Sequence, residues 1–228
     1  IGINHNGDIN NALKLIEEAK KAGCNSVKFQ KRYPRECVPK KMWNIKRSTP
    51  WGEMTYIEYK EKMELNKNDY KKIIKFCKKL KIDWFASCWD LKSVDFMEEL
   101  NIPYYKVASA SLTHIDLLKK IKKTKKPVII STGMSTFKQI KKAVRILGHK
   151  NLGILHCNSS YPAKYEELNL KLIPKLKKIF PKSIIGYSGH EKGLSSTVAA
   201  AVLGAKIIER HITLDKAMWG TDQLASIE

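Results

Sequence analysis

The chain has 228 residues, 43% of them apolar, which is enough to bury one sizeable core and falls within the usual span of a single α/β barrel domain covering 1–228. No run of about 18 apolar residues occurs, and the opening residues lack the charged-then-apolar order of a leader, so no helical membrane span and a cytoplasmic location are expected. Lys and Arg total 43 against 22 acids, a net charge of +21, but the lysines recur along every helical segment (Lys71, Lys72, Lys75, Lys78 and Lys79, for example) as a solvated outer face does. A basic nucleic-acid-binding protein is an alternative reading, handicapped by the absence of aromatic residues interleaved with the basic ones. Five scattered cysteines with no CxxC pair argue against a disulfide framework and a structural zinc site.

Taken in chain order, residues 1–4 form the first expected strand. Asp8 caps a helix with Ile9, Leu13 and Ile16 on one face, closed by Gly23. A second strand is expected at 26–30, followed by a long excursion containing Trp43, Pro50, Trp51 and Gly52, the kind of loop that serves as a lid. Asn66 with Asp69 opens the next helix, and a strand follows at 84–89. After a strand at 104–110, Thr113 with Asp116 opens a helix carrying Leu117, Leu118 and Ile121. Further strands are expected at 128–133, 152–158, 184–188 and 207–213. Pro174 places one helix start near Leu172 or Ile173, and Gly204 ends the helix over 194–203. Eight strands alternating with helices predict an α/β fold, a (β/α)8 TIM barrel. The chain opens inside a strand and stops without a helix over the eighth, so it reads as a barrel truncated at both ends.

In such barrels, catalytic groups sit at the carboxyl ends of the strands. His190 and His211 end neighbouring strands, so two imidazoles can reach one divalent ion of the Mn2+ or Zn2+ kind, with Glu209, Asp215 and Asp222 nearby in sequence. Lys28 and Lys106 are embedded in core-like strands, and a buried lysine needs an anion. With Ser109, Ser131, Thr132 and Ser188 they can cradle a phosphate and a carboxylate. The Ser131 to Ser135 turn adds a glycine and a helix N-terminus, where backbone N–H groups favour anions. A lysine-dependent aldolase using Lys28 or Lys106 as a Schiff-base amine is the enzymatic alternative.

The stretches IGINHNGD (1–8), VKFQ (27–30), KVAS (106–109), ISTGM (130–134), LHC (155–157) with Tyr161-Pro162, GYSGH (186–190) and ERHITLD (209–215) together resemble the N-acetylneuraminate (sialic acid) synthase family nearly end to end. That resemblance implies condensation of phosphoenolpyruvate with an N-acetylated amino sugar such as N-acetylmannosamine, releasing phosphate. It implies a divalent metal on His190 and His211, Mn2+ first with Mg2+ or Co2+ as alternatives. Lys28, Lys106, Ser109 and Ser188 then bind phosphoenolpyruvate, and Gln30, Tyr161 and Asp222 face the sugar. Some members carry an acid where Asn6 and Ser111 stand here, which leaves Glu209 and Asp222 as the candidate general bases. The resemblance also implies small-molecule partners only, a homodimer in the full-length protein, and a C-terminal antifreeze-like domain that this chain lacks.

Overall fold

A computed structural model describes residues 1–228. The chain divides into two compact units, Ile1–Ile102 with Ile212–Gln223, and Pro103–His211 with Leu224–Glu228. No helix is long and apolar enough to cross a membrane.

In the first unit, α1 (Ile9–Lys21) starts where the Asp8 side chain accepts the Asn10 N–H at 2.7 Å, and it buries Ala12, Leu15, Ile16 and Ala19. Gly23, at φ +81°, turns the chain out of the helix as expected. β1 (Ser26–Lys31) leads to the short α2 (Pro34–Cys37) and to an antiparallel hairpin of β2 (Lys46–Thr49) and β3 (Gly52–Thr55). α3 (Tyr56–Lys62) and α4 (Lys67–Leu80) each open on a capping box, Thr55 with Glu58 and Asn66 with Asp69. β4 (Asp83–Cys88) pairs in parallel with β1, and α5 (Leu91–Glu99) follows its Asp90 cap. Two expectations are corrected here. Residues 1–4 contribute only a bridge between Gly2 and Phe29, because turn bonds from Asn4 to Ile1 and from Asn6 to Ile3 curl the segment. The long excursion is no bare loop, since it holds α2, the hairpin and α3.

The second unit runs β5 (Tyr105–Val107), α6 (Ile115–Lys123), β6 (Val128–Ser131), α7 (Phe137–Leu147), β7 (Leu152–Cys157), α8 (Leu172–Ile179), β8 (Ile184–Gly189), α9 (Ser195–Val202) and β9 (Ile207–Arg210). Its five strands pair in parallel in chain order. β7 is buried at every position, as a parallel strand with both faces covered must be. Pro174 lies in the first turn of α8, where its missing N–H costs nothing. The strands expected at 104–110 and 207–213 end early, at Val107 and Arg210, the former passing into a 3-10 turn over Ser109–Ser111. The expected Thr113 cap is not used: α6 begins at Ile115 behind His114, with no side-chain cap bond.

Candidate active site

The β8–β9 ladder sets Gly189 opposite Arg210, so the residues that follow, His190 and His211, leave the sheet side by side. Their ring centroids are 5.5 Å apart. His190 Nδ1 lies 2.5 Å from the Asn158 carbonyl, so that nitrogen carries the proton and Nε2 keeps its lone pair. Tyr161 donates to Nε2 at 2.8 Å, with its ring stacked on the imidazole at 4.0 Å. Burial pulls the His190 pKa down, but contact with the Cys157 sulfur at 3.8 Å and with the Asn158 carbonyl outweighs it and leaves the value raised.

A buried ion pair frames this geometry. Glu191, directly after His190, is 0% exposed and accepts from Arg210 Nη1 at 2.9 Å, Tyr187 at 2.8 Å and Ser196 at 2.6 Å; Arg210 directly precedes His211. Gly189 is required beside it, because a Cβ there would lie 2.7 Å from the Glu191 carboxylate. The pair thus ties together the backbone on either side of the two histidines. An imidazole oriented through Nδ1–H by a carbonyl presents Nε2 as metal ligands do. No group of three or more His, Cys, Asp and Glu forms around one point. His190, with Nδ1 satisfied by a carbonyl, and the neighbouring His211 are the residues that would hold a divalent ion.

Lys106, on β5, is 2% exposed; its Nζ donates to Ser131 Oγ at 2.6 Å and lies 3.4 Å from Glu209 Oε1. Glu209, opposite Ser188 in the ladder, accepts that hydroxyl at 3.0 Å. Ser109 Oγ accepts the Gly133 N–H at 3.1 Å and lies 3.5 Å from Cys157 Sγ, which links this cradle to His190. Only glycine fits at 133, since a Cβ would meet Ser159 Oγ at 2.1 Å and Ser109 Oγ at 2.8 Å. Ser159 Oγ is buried with no hydrogen-bond partner, so this corner combines a cation, hydroxyls and a close backbone approach, the makings of an anion site. α7 itself begins only at Phe137 behind Thr136, so the anion-favouring helix start expected of the Ser131 to Ser135 turn lies farther along the chain.

Nine of the thirteen residues singled out from sequence, Lys106, Ser109, Ser131, Thr132, Tyr161, Ser188, His190, Glu209 and His211, thus belong to the second unit. Lys28, Gln30, Asp215 and Asp222 belong to the first. Lys28 is half-buried in β1 opposite Phe85, less sunken than its strand context suggested. The Gln30 side-chain oxygen accepts from the Arg32 guanidinium, and its backbone carbonyl accepts from Tyr70 at 3.1 Å. Asp222 is half-buried and accepts from Thr221 at 3.0 Å. Sequence reasoning missed Glu191, Arg210 as its partner, and the buried set in which Glu64 pairs with Lys31 at 3.2 Å and Arg32 at 3.0 Å. No periodicity marks these residues; the one available signal was the placement of Glu191 and Arg210 next to the two histidines.

A profile of the NeuB family matches residues 15–228. The N-acetylneuraminate-9-phosphate synthase of Drosophila melanogaster is 40% identical over 236 residues, covering 100% of this chain and 62% of its own length. The N,N'-diacetyllegionaminic acid synthase of Campylobacter jejuni is 39% identical, covering 100% of this chain and 70% of its own. The chain thus spans between 62% and 70% of the length of these relatives. Among solved structures, the N-acetylneuraminic acid synthetase from Leptospira borgpetersenii, in complex with citrate, superposes with a TM-score of 0.89 at 31% identity, over 100% of this chain and 76% of that one. This likeness bears out the α/β, barrel-type fold class expected from the strand and helix order. With the ordered motifs, the histidine pair and the lysine cradle in place, the chain belongs to the NeuB family.

Proposed function

We propose that this chain is the catalytic part of a nonulosonic acid synthase, which condenses phosphoenolpyruvate with an N-acetylated amino sugar such as N-acetylmannosamine and releases phosphate. Lys106 carries the reading: a fully buried ammonium, held by Glu209 and Ser131 in the same cluster as the His190–His211 pair, within a chain of this family. An ammonium clamped by a carboxylate suits an anion receptor better than a Schiff-base nucleophile, which must be neutral to attack.

In the reaction, C3 of the enol attacks the aldehyde carbon of the open-chain sugar. Water adds at C2, and phosphate leaves with its bridging oxygen, so the water oxygen becomes the ketone. Lys106, with Ser109, Ser131, Ser159 and Ser188, holds the anionic groups of phosphoenolpyruvate and screens the charge that gathers as phosphate departs. Glu209, positioned by Ser188 and Lys106, takes the proton of the incoming water. Tyr161 yields its bond to His190 Nε2 and turns its hydroxyl to the sugar. From the first unit, the family resemblance assigns Lys28 to phosphoenolpyruvate, and Gln30 and Asp222 to the sugar. His190 and His211 would hold a divalent ion, Mn2+ with Mg2+ or Co2+ as alternatives, which when bound would supply positive charge for the sugar's carbonyl oxygen.

The test is product identification by mass spectrometry, with phosphate release followed in parallel, using the full-length protein, phosphoenolpyruvate, Mn2+ and a panel of N-acylated hexosamines. One nonulosonic acid per phosphate is expected with at least one sugar. Absence of any such product, or a covalent borohydride-trapped adduct on Lys106, overturns the reading.

A further inference from the structure

The β8–β9 ladder ends at the Gly189–Arg210 pair, just before each histidine. Past that point the two backbones are bonded to different partners. The His190 carbonyl accepts the Ala163 N–H at 3.0 Å, and the His211 carbonyl accepts the Ile227 N–H at 2.8 Å. What spans the gap between them is a side chain. Arg210 reaches across to the loop after His190, where Nη1 donates to the Glu191 carboxylate at 2.9 Å and to the Gly193 carbonyl at 2.8 Å. Its Nη2 donates to the Glu191 carbonyl. Nη1 also lies 2.6 Å from Thr197 Oγ1 in the first turn of α9, and Ser196 in the same turn donates to Glu191. From β8, Tyr187 donates to the other carboxylate oxygen at 2.8 Å.

An ion pair whose side chains are 0% and 7% exposed is a poor means of adding stability, because apolar residues of similar volume would pack there at comparable free energy. What arginine supplies, and an apolar pair does not, is a rigid fork of donors that fixes several acceptors at once. We propose that Glu191 and Arg210 are a positioning pair, a side-chain rung that continues the β8–β9 ladder past its end and fixes the spacing of His190 and His211. That spacing, and not the imidazoles alone, then sets how tightly the two nitrogens take a divalent ion. Functional groups have to be held within roughly 0.5 Å of their productive geometry. Two strands that part beyond their last ladder bond have no backbone means of doing so. The metal rests on the synthase reading, whereas the rung itself does not.

The experiment uses two variants of the full-length protein that loosen the rung without leaving a lone buried charge. Arg210→Lys keeps the positive charge beside Glu191, but one ammonium cannot reach the carboxylate, the carbonyls and Thr197 together. Glu191→Gln combined with Arg210→Met removes both charges at once. In the first arm, amide hydrogen exchange is followed on metal-free protein. Residues 190–193 and 211–212 are expected to exchange at least tenfold faster in either variant than in wild type, with β7 unchanged. Exchange equal to wild type rejects the rung whatever the metal result, and an increase that extends equally through β7 makes the pair a stability element and overturns the proposal. In the second arm, Mn2+ is titrated and followed by electron paramagnetic resonance, with spin-echo modulation counting the bound imidazole nitrogens. Affinity is expected to fall at least tenfold in both variants, and the count to drop from two nitrogens to one. Wild-type affinity in both variants overturns the proposal. Wild-type protein that takes up no Mn2+, with the local exchange change present, supports the rung and sinks the metal reading alone.

Discussion

Lys106 and Lys60 are both lysines whose charge the fold withdraws from water, one in each unit, and they are provided for in opposite ways. Lys106 has resident partners, Ser131 at 2.6 Å and Glu209 at 3.4 Å, and Glu209 is fixed in turn by Ser188. Lys60 has two tyrosine faces and no polar contact. A cation with resident partners is in place before substrate arrives, so its contribution can be kept for the transition state. A cation without them is held only by the faces of Tyr56 and Tyr59. The same distinction separates other buried groups: Glu191 in the second unit is held by Arg210 and by the hydroxyls of Tyr187, Ser196 and Thr197, whereas His5 in the first is simply kept neutral.

The largest effect expected from this contrast is at the Glu191–Arg210 pair. Arg210→Met leaves a wholly buried carboxylate without its cation and should cost about 3 to 5 kcal/mol of stability in denaturant titration. A loss under about 1 kcal/mol would mean that the hydroxyls of Tyr187 and Ser196 hold Glu191 unaided. Next comes Lys106→Met, which removes a charge made ready for the departing phosphate. Single-turnover phosphate release should slow by about 100- to 1000-fold, the scale of losing one preorganised donor. A slowing of less than about fivefold would make Lys106 a group that matters only to binding.

The smallest effect concerns His5, which is buried and accepts the Gly7 N–H at Nδ1. Burial first, with the nearby charge of Arg32, lowers its pKa from 6.5 to about 3. Because the folded value lies below the unfolded one, its contribution is complete above pH 6.5 and is lost as pH falls from there towards 3. The slope is at most about 1.4 kcal/mol per pH unit. In His5→Gln, stability measured between pH 6.5 and 4 should show that slope reduced; an unchanged slope would assign acid sensitivity to other groups.

The parallel strands were legible because their β-branched runs, such as Val128-Ile129-Ile130, have no reason to exist outside a covered sheet. Asp8, Asn66 and Pro174 were legible as helix punctuation because their chemistry acts locally. Residues 1–4 misled, since an apolar tetrapeptide carries no record of the turn bonds that bend it. The hairpin of β2 and β3 was missed because the first three residues of β2 are exposed and leave no alternating apolar signal. Among site residues, His190, His211 and Lys106 stood out as polar groups at strand ends. Glu191 and Lys60 did not: an acid after a histidine and a lysine in a Lys-Glu-Lys run both read as solvent-facing, and only tertiary packing reveals that one is fully buried and the other half-buried against rings.

The claim on which the account most depends is that His190 and His211 act as one divalent-metal site beside the Lys106 cradle. Mn2+ binding to the full-length protein, followed by electron paramagnetic resonance, tests it without requiring turnover. One tightly bound ion per chain is predicted for wild type, weakened at least tenfold by His190→Ala or His211→Ala and abolished in the double variant. Equal Mn2+ binding by wild type and the double variant would contradict it.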